Sequence, residues 1–171
     1  GTVRENLLMA APMATEKEME AALKKVNLYE FLKSQRGLDT ELMERGSNFS
    51  GGQCQRLALA RALLHDTPIY IFDEATSNID AEKLLNNDYE WLKDCEEQIM
   101  KVVRELSQNH CVLLISHRLA NVVDSRNIYV LSGGRLAEEG THNELMGKKG
   151  IYAALYSEQN ILASYGSGKK V

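Results

Sequence analysis

The hydrophobic period of this chain changes once along its length. In the first third, Met19, Leu23 and Val26, then Leu28, Phe31 and Leu32, fall at helical spacing; Gly37 breaks the run, and Leu57, Leu59, Ala60, Leu63 and Leu64 form a later stripe. Apolar residues recurring every three or four positions predict amphipathic helices, here from Thr15 to about His65. From Thr67 onward the pattern shifts to short apolar runs, Ile69–Phe72, Cys111–Ile115, Ile128–Leu131 and Arg135–Glu138, which predict strands, with Gly133-Gly134 as a turn between the last two. Helix-like stretches separate these runs, the alternation that builds a parallel α/β core. The expected organisation is a helical subdomain over 1–66 followed by the second half of an α/β core over 67–171.

Two places in that pattern carry chemistry. Ser50-Gly51-Gly52 opens the helix that bears Leu57 to Leu64. A helix start points backbone N–H groups and a positive dipole end at whatever lies before it, and glycine lets an anion come close, so a phosphate is the natural occupant. The run Ile69–Phe72, bounded by Pro68, reads as a buried parallel strand and ends in two adjacent carboxylates, Asp73 and Glu74. Successive side chains on an extended strand point opposite ways, so the two acids can do different jobs at its carboxyl end.

Composition narrows the class. The 171 residues carry a formal net charge of −4, which gives no indication of nucleic-acid binding. No run of about 18 apolar residues could span a bilayer. Cys54, Cys95 and Cys111 lie far apart in an odd total, as reduced thiols of a cytosolic protein do. Cys54, near the start of the glycine-led helix, reads as an inert cysteine or as one activated by the dipole. His65, His110 and His142 share no metal-like spacing. The charge run from Lys17 to Lys25 reads as a solvated helix face.

In this order the motifs resemble the nucleotide-binding domain of an ATP-binding cassette (ABC) transporter of the exporter type. Phe49-Ser50-Gly51-Gly52-Gln53 resembles the family signature, with Phe where Leu is usual, and Ile69 to Glu74 resembles its Walker B strand. Ser77-Asn78-Ile79-Asp80 matches the D-loop and Ile115-Ser116-His117-Arg118-Leu119 the switch-histidine loop. Thr40 to Gly46 resembles the segment that touches the membrane domain, with Leu42-Met43 where Val-Gly is usual, and Leu131 to His142 resembles the hairpin and helix start after the switch. DNA-repair ATPases share the signature and the paired acids but lack the membrane-contact and Arg118-Leu119 features. The fold implied is α/β: a partial P-loop NTPase core with parallel strands plus an α-helical subdomain.

The resemblance also implies roles. Two such domains sandwich ATP head to tail, so Ser50, Gly51, Gly52 and Gln53 would meet the γ-phosphate of ATP held by a second nucleotide-binding domain, and Asp80 would couple the two sites. Asp73 would bind Mg through water; Glu74 would orient or deprotonate the attacking water, and His117 would hydrogen-bond the γ-phosphate. Glu41, Glu44 and Arg45 would contact a transmembrane domain, holding the chain at the cytoplasmic face of the plasma membrane, with the isolated chain soluble. Each has a plainer reading: an acidic strand end, a surface histidine, a solvated loop.

Two features depart from the family. No segment fits the phosphate loop G-x-x-x-x-G-K-[ST]. The tail Gly166-Ser167-Gly168-Lys169-Lys170 has Ala163 where the first Gly belongs and Lys170 where Ser or Thr belongs. The chain thus reads as the second half of a cassette, expected to hydrolyse no ATP alone, or as a non-catalytic interaction module. A half-core is expected to show an unpaired edge and apolar surface, with marginal stability, oligomerisation or rearrangement as consequences. The stretch between Asp80 and His117 is longer than in an exporter, with the excess around Asn86 to Cys95. Asn87 and Glu90 form a candidate capping box, and Leu92, Ile99, Val103 and Leu106 continue an apolar stripe. This insert reads as a longer surface helix or as a docking element anchored by Tyr89 and Trp91.

Overall fold

Helix starts along this chain are written in one four-residue form. Thr2 and Glu5, Thr15 and Glu18, Ser50 and Gln53, and Thr141 and Glu144 each form a reciprocal capping box, the N-cap hydroxyl accepting the third residue's N–H while that residue's side chain accepts the N-cap N–H. They open α1 (Val3–Leu8), α2 (Glu16–Lys25), α4 (Gly51–His65) and α6 (His142–Lys148). The computed structural model describes residues 1–74 and 89–166, with side chains over 1–74 and 96–162. The candidate capping box at Asn87 lies outside the described residues, as do the D-loop and Asp80; α5 is described from Tyr89.

The chain forms two compact units, Gly1–Ile115 and Ser116–Val171. In the first, α2 gives way to the short α3 (Tyr29–Lys33) at Asn27, whose φ of 52° turns the chain, and Gly37, at φ 59°, takes it out of the helical run into a 3₁₀ turn over Gly37–Asp39. The helical spacing read from the sequence is the packing face: Met19, Leu23, Val26, Leu28 and Leu32 are all buried, joined by Val3 and Leu7 of α1 and by Leu57, Leu59 and Ala60 of α4. Burying one such leucine stabilises by about 1.5–3 kcal/mol.

Strands β1 (Ile69–Asp73) and β2 (Cys111–Ile115) pair in parallel, Ile69 opposite Cys111 and Asp73 opposite Ile115. The helix α5 (Tyr89–Leu106) intervenes, and its Ile99, Met100, Val102, Val103 and Leu106 are buried in the same cluster as Tyr70 and Phe72 of β1. The mixed α/β architecture with a parallel pair is the fold class expected. A strand buried on both faces is not what is found: Ile69 and Ile71 are 59% and 65% exposed, and Leu113 and Ile115 47% each. Among the described residues the sheet has two strands and a cover on one face, so alternate residues of β1 and β2 face outward.

In the second unit, β3 (Ile128–Ser132) and β4 (Arg135–Gly140) form an antiparallel hairpin with an irregularity between Val130 and Leu131. Gly133 and Gly134, at φ 57° and 72°, make the tight turn that needs two left-handed residues. After α6, α7 (Ile151–Gly166) begins at a carboxylate: Glu138 Oε1 accepts the Ile151 N–H at 2.8 Å and Oε2 the Tyr152 N–H at 2.9 Å. A Cβ at Gly150 would overlap that carboxylate.

Candidate functional site

The signature turn is a self-capped helix start held from behind. Ser50 is extended (φ −69°, ψ 158°); its Oγ accepts the Gln53 N–H at 3.3 Å, and Gln53 Oε1 accepts the Ser50 N–H at 2.8 Å. Accepting these bonds leaves the Ser50 hydroxyl hydrogen and the Gln53 amide hydrogens as the donors these two side chains can offer an anion at the helix start. Phe49, the departure from Leu, is buried and meets Phe31 edge to face at 5.6 Å, tying the turn to α3. Arg56 Nε donates to the Gly52 carbonyl at 3.2 Å and its Nη1 to the Asn27 carbonyl at 3.3 Å, linking the first turn of α4 to the end of α2.

The paired acids lie at the carboxyl end of β1, and the backbone treats them differently. Asp73 is the last strand residue, opposite Ile115; Glu74 donates its N–H to the Ile115 carbonyl at 3.0 Å but has φ 48°. A left-handed glutamate is uncommon and costs of order 1 kcal/mol or more. The expectation that strand alternation alone separates the two acids is therefore corrected: the strand ends between them, and the turn at Glu74 sets its direction. Both are exposed, Asp73 and Glu74 alike facing solvent on this chain. Among the described residues no group of three or more His, Cys, Asp or Glu could hold a metal ion. One carboxylate fits Mg only as a partner to phosphate oxygens and retained water, the way this cation is commonly held.

His117 lies in the second unit. Its loop is braced locally by Ser116, whose Oγ accepts the Arg118 N–H at 3.0 Å. It is also braced by Gln159 of α7, which bonds the His117 carbonyl at 2.6 Å and the Leu119 N–H at 2.9 Å. Sequence reasoning missed Gln159, because a contact across some forty positions leaves no local pattern.

Glu41, Glu44 and Arg45 are exposed on one loop. Asn48 shapes it, accepting the Met43 N–H at 3.0 Å and donating to the Glu41 carbonyl at 2.8 Å. Arg45 and Gly46 are both left-handed, at φ 57° and 68°. The loop borders an open depression of about 660 Å³ lined also by Met9, Met43, Cys54 and Arg61. Cys54 lies with its Sγ 3.7 Å from the Gly46 carbonyl, and a Cβ on Gly46 would come within 2.8 Å of the sulfur.

A capped, glycine-led helix start and paired acids ending a parallel strand place an anion-compatible helix end and two carboxylates within one α/β unit. The sequence profile of the ABC transporter family matches residues 1–77. Over 162 residues the chain is 49% identical to an ABC transporter ATP-binding protein of Haemophilus influenzae, covering 95% of this chain and 27% of that protein. A Staphylococcus aureus ATP-binding/permease protein named for multidrug export is 40% identical over 161 residues, which is 94% of this chain and 26% of that protein. The solved structure of a bacterial Atm1-family ABC exporter with ATP bound superposes with a TM-score of 0.81 at 35% identity, covering 93% of this chain and 26% of that one. The chain belongs to the ABC transporter family, as a stretch of its ATP-binding domain. It spans about a quarter of the length of the curated relatives it matches. Among the described residues no helix is long and apolar enough to cross a membrane.

Proposed function

We propose that this chain supplies the signature, Walker B and switch-histidine half of the ATPase that drives an exporter. The observation that carries the reading is the juxtaposition in one family of a self-capped Ser50-Gly51-Gly52 helix start and Asp73-Glu74 at the end of β1. Residues 1–66 would serve as the helical subdomain and 67–171 as the second half of the ATPase core.

In this reading ATP is the substrate, and a phosphate loop from a segment outside these residues holds it. The amides of Gly51 and Gly52 and the donors of Ser50 and Gln53 meet the γ-phosphate of ATP bound to a second nucleotide-binding domain, and the α4 dipole favours the charge that builds there. Asp73 would hold Mg through retained water, and the cation would supply neutralisation of phosphate charge. Glu74 aligns the attacking water and takes its proton. His117 donates to the γ-phosphate, and Asp80 links the paired sites. Glu41, Glu44 and Arg45, with the depression beside them, receive the transmembrane domain, which places the assembly at the cytoplasmic face of the plasma membrane.

The test is magnesium-dependent phosphate release by the longer protein that contains this chain. Glu74→Gln is expected to lower kcat by about a hundredfold or more; undiminished turnover would remove Glu74 from the mechanism. The chain alone is expected to release no phosphate. A second reading, a non-catalytic interaction module, is favoured by the outward-facing Ile69, Ile71, Leu113 and Ile115, which call for a partner. It expects a partner, and no turnover when a phosphate-loop polypeptide is added, whereas a true half regains nucleotide binding.

A further inference from the structure

The loop that carries His117 is gripped on both flanks by one side chain far along the sequence. Gln159 Oε1 accepts the Leu119 N–H at 2.9 Å, and Nε2 donates to the His117 carbonyl at 2.6 Å. The partners dictate the orientation of the amide, since the N–H needs its oxygen and the carbonyl needs its nitrogen. A two-point clip of this kind fixes the peptide planes on either side of Arg118, and with them the direction in which the His117 side chain leaves the backbone.

The helix that brings Gln159 is itself held against rotation. Tyr152, Tyr156 and Gln159 stand at i, i+4 and i+7 and share one face of α7. Tyr152 is 1% exposed, its hydroxyl 2.8 Å from His142 Nδ1, and its ring stacks on Tyr156 with centroids 6.0 Å apart. Burial pushes the Tyr152 phenol up, so it stays protonated and able to donate. The Glu138 carboxylate holds the first N–H groups of the same helix.

We propose that Gln159 is a positioning residue for the switch histidine, acting through the backbone of His117 and Leu119 rather than on the substrate. The inference rests on the reading of His117 given above. Without the clip the Ser116 turn remains, so the loop folds but its histidine samples more directions.

The experiment uses the full transporter with Gln159→Met, which keeps length and helix propensity but makes neither bond. Its expected kcat for ATP hydrolysis is about tenfold lower with KM for ATP within about twofold, as for a misplaced group that acts in the transition state. Hydrogen exchange at the Leu119 amide is expected to quicken about tenfold. Combined with His117→Ala, Gln159→Met should cost nothing further, because its effect passes through the imidazole. An unchanged kcat, unchanged Leu119 exchange, or a second full loss in the double variant overturns the proposal. Gln159→Glu, which keeps the bond from Leu119 and loses the one to His117, should fall between parent and Gln159→Met, and it carries the same test should Gln159→Met fail to fold. If His117→Ala turns over ATP like the parent, the role of His117 falls and that of Gln159 with it; quickened Leu119 exchange would then leave only the clip standing.

Discussion

Ile71→Thr separates a surface that is exposed by nature from one awaiting cover. Threonine is β-branched like isoleucine, so the strand preference of β1 is retained while most of the apolar surface is lost. On this chain Ile71 is 65% exposed, and its neighbours on the same face, Ile69, Leu113 and Ile115, are 59%, 47% and 47% exposed. A fully buried isoleucine gains about 1.5–3 kcal/mol, so roughly two-thirds of that, about 1–2 kcal/mol, is still to be gained when another element covers Ile71. In the isolated chain the substitution should shift stability by no more than about 0.5 kcal/mol, the range of surface changes. In a polypeptide extended through the phosphate-loop half it should destabilise by about 2 kcal/mol, since a hydroxyl is then also buried. Urea unfolding of both polypeptides measures the contrast, with Leu23→Ala, 1% exposed, as the control expected to cost about 2–5 kcal/mol in each. Equal small effects of Ile71→Thr in the two polypeptides would refute the idea that this face is covered in the whole domain.

Glu138→Ala removes both carboxylate bonds at the start of α7 and should cost about 1–2 kcal/mol, the scale of a lost helix cap, read as a lower thermal midpoint; no change would mean that solvent replaces the carboxylate fully. Acid sensitivity should follow the capping carboxylates. Hydrogen bonds from Thr15 and Thr141 hold Glu18 and Glu144 below their ordinary value of 4.5, and the Arg4 guanidinium holds Asp39 below 3.8. Groups depressed by folding contribute stability above the unfolded value that is lost as pH falls through the folded one, so the thermal midpoint should drop below about pH 4.5. Thr15→Val with Thr141→Val should flatten that drop only in part, since valine keeps the backbone N–H that is the larger cause of each shift, and an unchanged slope would assign the drop to the backbone bonds or to other groups.

How much of this was readable in advance varied with the range of the interaction responsible. Cys111–Ile115 stood out with its observed ends because five apolar residues need no neighbour to be recognised. β4 runs on to Gly140, past the expected Glu138, because Glu138 and Glu139 are polar yet pair with Val130 and Tyr129 in the hairpin. Val3 and Leu7, both fully buried, drew no notice since a helix of six residues shows hardly one period. The capped start of α4 was legible because Ser50 and the glycines state a local conformational need. The left-handed Glu74 was not, because alternation assumes that a strand continues, and here the chain turns at the residue after Asp73. The clip by Gln159 depends on tertiary placement that no window of sequence contains.

The four-residue capping boxes have a consequence for the order in which the chain acquires structure. Each closes a loop of only a few residues, so the boxes at Thr2, Thr15 and Ser50 set their helix starts at almost no loop-closure entropy. The parallel pair instead joins residue 69 to residue 111 across a whole helix, with Ile69, Ile71, Leu113 and Ile115 exposed on one face. Contact order therefore predicts an order for the two territories, with the helical one as the cheaper nucleus and the sheet that ends in Asp73 as the later event.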